Sequence, residues 1–211
     1  MCMILLSNYS KAYLRTTILS IKNLKIEPGL HLIQGANGSG KTTLFKSISG
    51  IISFKGDCSL NGQSIKKDAV EYRRYINYCE AEQNFPHFLN GRELIGFVSK
   101  AKNTPDTTLH KIVMSFGVEK FWEKPIATYS SGMLKKTSLV MAFVGNPRAV
   151  LLDEPFTTID RDSKERLCLL IREYRTWGCT FLISAHQEPK TIPLEFDSTL
   201  VLENNTVSKL L

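Results

Sequence analysis

The stretch Gly35–Thr43, GANGSGKTT, decides the fold of this chain. It follows an apolar run, Leu30–Gln34 (LHLIQ), and precedes a helical pattern at Leu44–Ile48. Glycines at this spacing let the backbone curl so that several N–H groups point inward, and the start of the following helix adds a partial positive charge. The order of strand, glycine loop and helix therefore predicts a phosphate-binding loop rather than an ordinary glycine-rich turn.

Side chains within this phosphate loop (Gly35–Thr43) have separate expected tasks. Lys41 is predicted to reach the β- and γ-phosphates of a nucleotide, and the Thr42 hydroxyl to ligate Mg²⁺. The pattern thus implies a nucleoside triphosphate and Mg²⁺ as cofactors. The residues predicted to bind the nucleotide here are Gly35, Asn37, Gly38, Ser39, Gly40, Lys41, Thr42 and Thr43.

A second polar element follows the apolar run Ala149–Leu152 (AVLL), where the chain continues into Asp153 and Glu154. Neighbouring residues on a strand point to opposite faces, but the chain bends at a strand end and both carboxylates can approach one site. Asp153 has the position expected of a carboxylate on the Mg²⁺ side. Glu154 has the position expected of a catalytic residue that polarises the attacking water in phosphoryl transfer.

The apolar runs also predict the architecture of the centre of the chain. Between Ala149–Leu152 and a third run, Thr180–Ser184 (TFLIS), lies Ser163–Trp177, whose apolar residues recur at helical spacing. Strand, helix and strand in this order imply a parallel crossover unit. We therefore expect an α/β fold with a mainly parallel sheet and the ligand site at the carboxyl ends of its strands.

Three further regions surround that unit. The segments Met1–Glu27 and Cys58–Gln63 indicate shorter strands and an antiparallel annex. Helical patterns at Arg92–Lys102 and Thr107–Phe116 predict an inserted helical lobe over approximately residues 86–135. The last residues, Thr199–Leu211, indicate a hairpin that turns at Asn204 and Asn205.

Composition is that of one folded domain, which we expect to span residues 1–211. The 211 residues are 43% hydrophobic, and no apolar run approaches the roughly 20 residues that span a bilayer. Met1–Leu6 (MCMILL) lacks the basic leader of a signal peptide and indicates a first strand. The five cysteines have no metal-ligand spacing and are typical of a reduced chain with buried thiols. The net charge of +7 is spread along the chain, so no nucleic-acid partner is expected.

The segment Tyr129–Lys136 (YSSGMLKK), which we call the signature segment, narrows these possibilities. It precedes the acidic pair and resembles the ABC signature motif, usually LSGGQ. Ser130 and Gly132 match the Ser and the second Gly, whereas Ser131 replaces the first Gly and Met133 the Gln. Alone, the segment is more typical of a helix start capped by Ser130 or Ser131. Together with the phosphate loop and the Asp-Glu-Pro sequence, it makes the chain similar to ABC ATP-binding subunits, particularly those of small bacterial exporters.

This resemblance assigns further residues. It implies that Ser130, Ser131 and Gly132 bind ATP, that Ile159–Asp160 is the D-loop, and that His186 is a catalytic switch histidine contacting the γ-phosphate. Tyr13 matches the aromatic residue that stacks on adenine, with Tyr9 as the competing aromatic. The implied fold is a P-loop NTPase core with an antiparallel β annex and an inserted helical lobe.

One region departs from the family pattern. The family has a Gln that senses Mg²⁺ and contacts the membrane partner; here the corresponding stretch is Tyr78–Phe88 (YCEAEQNFPHF). Alignment leaves Ala81, Glu82 and Gln83 as alternatives. Carboxylate and amide oxygens can serve Mg²⁺ whereas an alanine side chain cannot. We predict Gln83, together with Thr42 and Asp153, as the metal-binding set.

The resemblance also implies how the chain works. The signature segment serves the ATP of an opposite subunit, so a second ABC cassette is required, either identical or different. Separate transmembrane subunits would receive the motion, which places the chain in the cytoplasm, peripherally on the inner face of the membrane. The transported substrate and the direction are not encoded in such a chain. The alternatives are a soluble ABC ATPase of the cluster-assembly type and a weakly hydrolysing regulatory module.

Overall fold

The computed structural model describes residues 2–185 and 193–210, which contain ten strands and six α-helices. The strands are β1 (Ile4–Tyr13), β2 (Thr16–Ile26), β3 (Leu30–Gln34), β4 (Lys55–Leu60), β5 (Gln63–Ser64), β6 (Ile76–Cys79), β7 (Ala149–Asp153), β8 (Thr180–Ser184), β9 (Ser198–Glu203) and β10 (Thr206–Leu210). The helices are α1 (Lys41–Ile48), α2 (Ala69–Arg74), α3 (Gly91–Ala101), α4 (Asp106–Phe116), α5 (Ser131–Phe143) and α6 (Arg161–Thr176).

A six-stranded sheet, in the order β10-β9-β3-β8-β7-β6, carries the site. All neighbours are parallel except β10, which pairs antiparallel with β9. Strands β7 and β8 are buried along their whole length, as is usual for parallel strands covered on both faces. The predicted α/β architecture is thus confirmed, and the loops after β3 and β7 leave the same edge of the sheet with only β8 between their strands.

The predicted antiparallel annex is a four-stranded sheet in the order β2-β1-β4-β5. Strands β1 and β2 are 10 and 11 residues long, longer than the sequence indicated. They pair over almost their full length, from Ile4 opposite Ile26 to Tyr13 opposite Thr16. The inner part of β2 lies against the phosphate loop, so the annex forms one wall of the site.

The helical lobe consists of α3, α4 and the first part of α5. Helix α3 begins with a capping box, in which Asn90 and Glu93 satisfy each other's backbone N–H groups. Helix α4 ends at Gly117, whose φ of 66° suits a left-handed cap. Helix α5 continues to Phe143 and packs on β6 and β7, so the lobe boundary expected near residue 135 falls inside a helix.

The C-terminal hairpin, the cysteines and the helix lengths can also be compared with the sequence predictions. The C-terminal hairpin forms, and its turn residues Asn204 and Asn205 both have positive φ, as a type I′ turn requires. All five cysteines are free and buried. None of the helices in the described ranges combines the length and the apolar character needed to cross a membrane.

Candidate nucleotide site

Lys41 is the first residue of α1 and is 6% exposed. Its ammonium donates to the carbonyl oxygens of Gly35 at 2.7 Å and Ala36 at 3.0 Å, so it lies inside the curve of the phosphate loop. Gly40 caps this helix with a φ of 101°. A Cβ on Gly40 would lie 3.0 Å from Ile18 and 3.1 Å from Leu19 of β2. Glycine therefore allows the helix start to press against the annex.

The phosphate loop has the features that a polyphosphate requires. The Ser39 hydroxyl oxygen is buried, and within the described residues it has no hydrogen-bond partner. A Cβ on Gly38 would meet no atom within 4 Å, so the loop is open at that point. An orphaned hydroxyl, a buried ammonium and a helix N-terminus together fit a bound phosphate chain.

Asp153 lies at the end of β7, is almost completely buried, and accepts three hydrogen bonds. The Thr42 hydroxyl donates to Oδ2 at 2.6 Å, the Ser184 hydroxyl to Oδ1 at 2.5 Å, and the Tyr78 hydroxyl to Oδ2 at 3.3 Å. Two of the predicted metal ligands, Thr42 and Asp153, are therefore in contact. Their oxygens fit Mg²⁺, which takes one or two protein carboxylates and completes its shell with phosphates and water. In the described ranges no group of three or more His, Cys, Asp or Glu side chains forms a separate metal site.

Sequence analysis missed Tyr78 and Ser184. Ser184 is the polar last residue of β8 and stands opposite Asp153 in the parallel register. A polar residue ending an apolar strand is the signal that could have identified it. Burial, together with the neighbouring Asp153 carboxylate, holds the pKa of Tyr78 well above its ordinary value, so its hydroxyl remains a donor.

Glu154 follows directly and has a φ of 49°, in the left-handed region that side chains rarely adopt. Its N–H donates to both the carbonyl and the hydroxyl oxygen of Ser184, at 3.2 and 3.0 Å. The bend expected at the end of this strand is therefore present, and neighbouring β8 holds it. It brings Glu154 to the edge of the sheet where the phosphate loop begins.

The signature segment starts α5. Ser130 is the N-cap, and its hydroxyl accepts from the Met133 N–H at 3.3 Å, while Ser131 is exposed in the first turn. A Cβ on Gly132 would lie 2.9 Å from the carbonyl oxygen of Thr158, so the residue directly before the D-loop packs against this glycine. The helix start leaves backbone N–H groups for an anion, as the γ-phosphate role requires, and it has the serine cap as well.

An ion pair connects the signature segment to the D-loop. The Lys136 ammonium lies 2.5 Å from Oδ2 of Asp160, which also caps α6 by accepting from the Ser163 N–H at 2.8 Å. The hydrogen bond from Lys136 holds the pKa of the Asp160 carboxyl well below its usual range. In contrast, within residues 2–185 and 193–210 no hydrogen bond or ion pair joins Ser130–Gly132 to the phosphate loop.

The two candidates for the adenine-stacking residue, Tyr9 and Tyr13, differ in their exposure to solvent. Tyr9 is 1% exposed and its hydroxyl hydrogen-bonds to Ser47, so its ring offers no face for adenine. Tyr13, at the end of β1, is 48% exposed, with the Lys11 ammonium 4.8 Å from its ring centre. An exposed ring of this kind is available for stacking, and Tyr13 stays the predicted adenine contact.

The described residues do not join Gln83 to this set, and they do not include His186. The Gln83 side-chain amide donates to the carbonyls of Glu80 at 2.5 Å and Ala81 at 3.4 Å, and no hydrogen bond among the described residues joins it to Thr42 or Asp153. Its role as a metal ligand stays a prediction, as does the choice among Ala81, Glu82 and Gln83. His186 lies outside the described residues.

Comparisons with known proteins identify the fold and the family. Among solved structures, the ATP-binding subunit of an ABC transporter superposes with a TM-score of 0.87 at 24% identity, covering 99% of this chain and 89% of its own. The dimeric structure of a post-hydrolysis state of an ATP-binding cassette bound to ADP and Pi gives 0.84 at 19% identity, covering 98% and 97%. At these identities the likeness shows the fold.

Curated relatives are much longer proteins. The chain is 30% identical over 161 residues, 72% of its length, to ATP-binding cassette sub-family A member 17 of Mus musculus. It is 30% identical over 157 residues to the retinal-specific phospholipid-transporting ATPase of Homo sapiens. It spans only 9% and 7% of these two proteins. A family model described as "ABC transporter" matches residues 19–157, more than half of the chain. The chain therefore belongs to the ABC transporter family.

Proposed function

We propose that this chain is an ATP-hydrolysing cassette that closes in pairs over ATP and drives separate transmembrane subunits. One observation carries the proposal. In the phosphate and metal half, Lys41 and Asp153 are buried and Thr42 already contacts Asp153, whereas the signature segment is an exposed helix start with no bond to this half in the described residues. A chain built in this way holds two different half-sites, and each needs its complement from another chain.

The chemistry follows from the residues present. Lys41 and the N-terminus of α1 hold the phosphates, and Thr42 and Asp153 hold Mg²⁺. The metal ion supplies neutralisation of the charge that develops on the transferred phosphoryl group. Glu154 orients the attacking water from the bend after β7. Tyr78 and Ser184 position Asp153, and His186 is assigned to the γ-phosphate.

Pairing supplies the missing half. In a head-to-tail dimer with two-fold symmetry, the signature segment of each chain faces the phosphate loop of the other. The Ser130 and Ser131 N-terminus of α5 then completes the γ-phosphate site. A solved structure of the same fold is a dimer bound to ADP and Pi, which supports pairing. A dimer closed by ATP and opened by hydrolysis produces the motion that transport requires.

A groove beside Gln83 is the proposed docking site of the transmembrane subunits. It has a volume of about 350 Å³ and runs between β6 and α3, lined by Tyr78, Phe85, Val98, Lys102 and Met141 among others. The groove and the predicted metal ligand Gln83 both include the segment that follows β6. A membrane subunit bound in the groove would therefore respond to the state of the nucleotide site. This proposal places the chain at the inner face of the membrane. Because the chain spans so little of its curated relatives, their phospholipid substrates are not assigned to it.

A complementation experiment tests the paired site. We expect Lys41→Ala, with a disabled phosphate loop, and Gly132→Glu, with a disabled signature segment, each to lack Mg²⁺-dependent phosphate release. An equal mixture should regain about a quarter of the wild-type rate, since half of the dimers are mixed and each mixed dimer holds one intact site. A mixture no more active than its components, with an active wild-type chain, would contradict the paired site.

A further inference from the structure

A buried lysine of the signature helix has no role in the site described above. Lys135, on α5, has no exposed surface and forms no ion pair among the described residues. Its ammonium donates to the backbone carbonyls of Glu80 at 2.9 Å and Ala81 at 2.7 Å. Because burying a charge is costly unless it is well hydrogen-bonded, this placement needs an explanation beyond core packing.

The same two carbonyls have a second donor. The side-chain amide of Gln83 also donates to Glu80 and to Ala81. A carbonyl oxygen has two lone pairs and can accept from both donors at once. Lys135 and Gln83 therefore share one pair of acceptors, and either donor alone can satisfy it.

The shared segment also contacts the phosphate-loop helix. The Glu80 carboxylate pairs with Lys46 of α1 at 3.2 Å. Residues Glu80 and Ala81 are thus connected through a side chain to the helix that starts in the phosphate loop, and through their backbone to the helix that starts in the signature segment. This is a continuous set of contacts between the two half-sites of one chain.

We propose that Lys135 is a positioning residue that frees Gln83 to move to Mg²⁺-ATP. When Gln83 leaves, the Glu80 and Ala81 carbonyls keep the Lys135 ammonium as donor and are not left unsatisfied, which would oppose the movement. Conversely, a shift of α5 moves that ammonium and alters the hold on Gln83. Lys135 thereby links nucleotide bound at the phosphate loop to α5, the helix that carries the signature segment. This inference rests on the proposed function.

A double-mutant cycle on nucleotide affinity tests this role. We measure equilibrium binding of ATP with and without Mg²⁺ to wild type, Lys135→Met, Gln83→Ala and the double variant. Lys135→Met should reduce the Mg²⁺-dependent gain in affinity by about tenfold, and this effect should vanish in the Gln83→Ala background. Equal effects of Lys135→Met in both backgrounds, or no effect of Gln83→Ala on the gain, would overturn the proposal.

Lys111→Met is the control. The Lys111 ammonium also joins the helical lobe to the rest of the chain, through an ion pair with Glu173 of α6 at 2.5 Å, and Lys111 does not line the groove beside Gln83. Lys111→Met should leave the Mg²⁺-dependent gain in affinity unchanged. An equal loss in Lys111→Met would mean that any contact between the lobe and the α/β core has this effect, and the proposal would fail.

A measurement on the wild-type chain covers the case in which Lys135→Met does not fold. The side-chain amide resonances of Gln83 should shift when Mg²⁺ and a non-hydrolysable ATP analogue are added, while the Lys135 ammonium protons stay protected from exchange. If the side-chain amide resonances of Gln83 did not shift, the proposal that Gln83 moves to Mg²⁺-ATP would be wrong. Because these readouts need one chain and no turnover, they can fail while complementation between two chains succeeds, and the reverse.

Discussion

The two halves of the nucleotide site differ in how completely one chain builds them. In the phosphate half, Lys41 and Asp153 are buried, and Asp153 accepts from Thr42, Ser184 and Tyr78. In the signature half, exposed serines stand at the start of α5, with one cap hydrogen bond at 3.3 Å. Preorganised, water-poor donors stabilise charge strongly, whereas an exposed helix start competes with water.

This difference suggests a division of labour. Under the proposed function, we expect the phosphate half to bind nucleotide before any partner arrives, because hydrogen bonds already hold Lys41 and Asp153 in place. We expect the signature half to bind phosphate strongly only when another surface excludes water from it. Asp160 of the D-loop pairs with Lys136, and Thr158, two residues earlier, packs on Gly132. Affinity should therefore depend on the first half, and turnover on both.

The largest expected effect is at Glu154. Replacing it with Gln keeps the size of the side chain and removes the carboxylate that orients water, so Mg²⁺-dependent phosphate release should fall by about 10²–10⁴-fold. ATP affinity should be retained, and dimers with ATP should accumulate on size-exclusion chromatography. Glu165→Gln, an exposed change on α6, is the control. Parent-rate hydrolysis in Glu154→Gln would remove Glu154 from the mechanism.

The second test breaks the phosphate half itself. Lys41→Ala removes the ammonium that lies inside the loop, so nucleotide binding or turnover should drop by about 10²–10³-fold. Equilibrium binding of a fluorescent ATP analogue, together with phosphate release, measures the loss, with exposed Lys22→Ala as the control. Normal affinity combined with normal turnover would contradict the assignment of the loop.

The third test breaks the signature half. A side chain at Gly132 would meet the Thr158 carbonyl at 2.9 Å, so Gly132→Glu displaces the backbone directly before the D-loop and adds a negative charge where phosphate is expected. Turnover should fall by about 10²-fold, since small misplacements are costly in phosphoryl transfer. ATP binding to the single chain should not change.

Gly96→Glu is the matched control for this change, because a Cβ there meets nothing within 4 Å. If Gly132→Glu abolished ATP binding as Lys41→Ala is expected to do, the phosphate half and the signature half would not act separately. The proposed difference between them would then be wrong. If Gly132→Glu left turnover intact, the signature segment would be only a capped helix start.

Much of the fold was predictable because burial leaves a simple pattern. Runs such as LHLIQ and TFLIS became β3 and β8 since parallel strands covered on both faces need continuous apolar residues. Strand β6 (INYC) has no such pattern. It is four residues long and contains Asn77, whose buried amide donates to the carbonyls of Ala142 and Val144. Only the tertiary structure provides those acceptors.

The residues of the candidate site also fall into those that the sequence predicted and those that it did not. The phosphate loop and Asp153 have local signals, and the structure brings Thr42 and Asp153 to 2.6 Å. Tyr78 and Ser184 reach Asp153 from strands whose order is set by the whole sheet. Ser184 has a local signal, as the polar last residue of an apolar strand, but only the strand order shows that it meets Asp153. Lys135 had no signal either, because a doublet of lysines is usually solvated and here its first member is buried.

The smallest effect concerns the ion pair that joins the signature half to the D-loop. Asp160→Asn removes the charge that pairs with Lys136 and keeps a side chain that caps α6 equally well, so the pair is tested apart from the cap. Because the pair is partly exposed, the free energy of unfolding in urea should fall by only about 0.2–1 kcal/mol at pH 7. Asp162→Asn, in the first turn of the same helix, is the control.

Measurements at low pH and at high salt show whether the loss of unfolding free energy in Asp160→Asn is electrostatic. The pKa of folded Asp160 lies below that of an unfolded aspartate, about 3.9, so the pair contributes stability above this value and loses it as pH falls through the lowered pKa. The difference between wild type and Asp160→Asn should therefore be full at pH 7, narrow below about pH 4, and shrink in about 1 M salt. A difference that persists under both conditions would mean that Asp160 acts through packing, and the signature half would then be as rigidly built as the phosphate half.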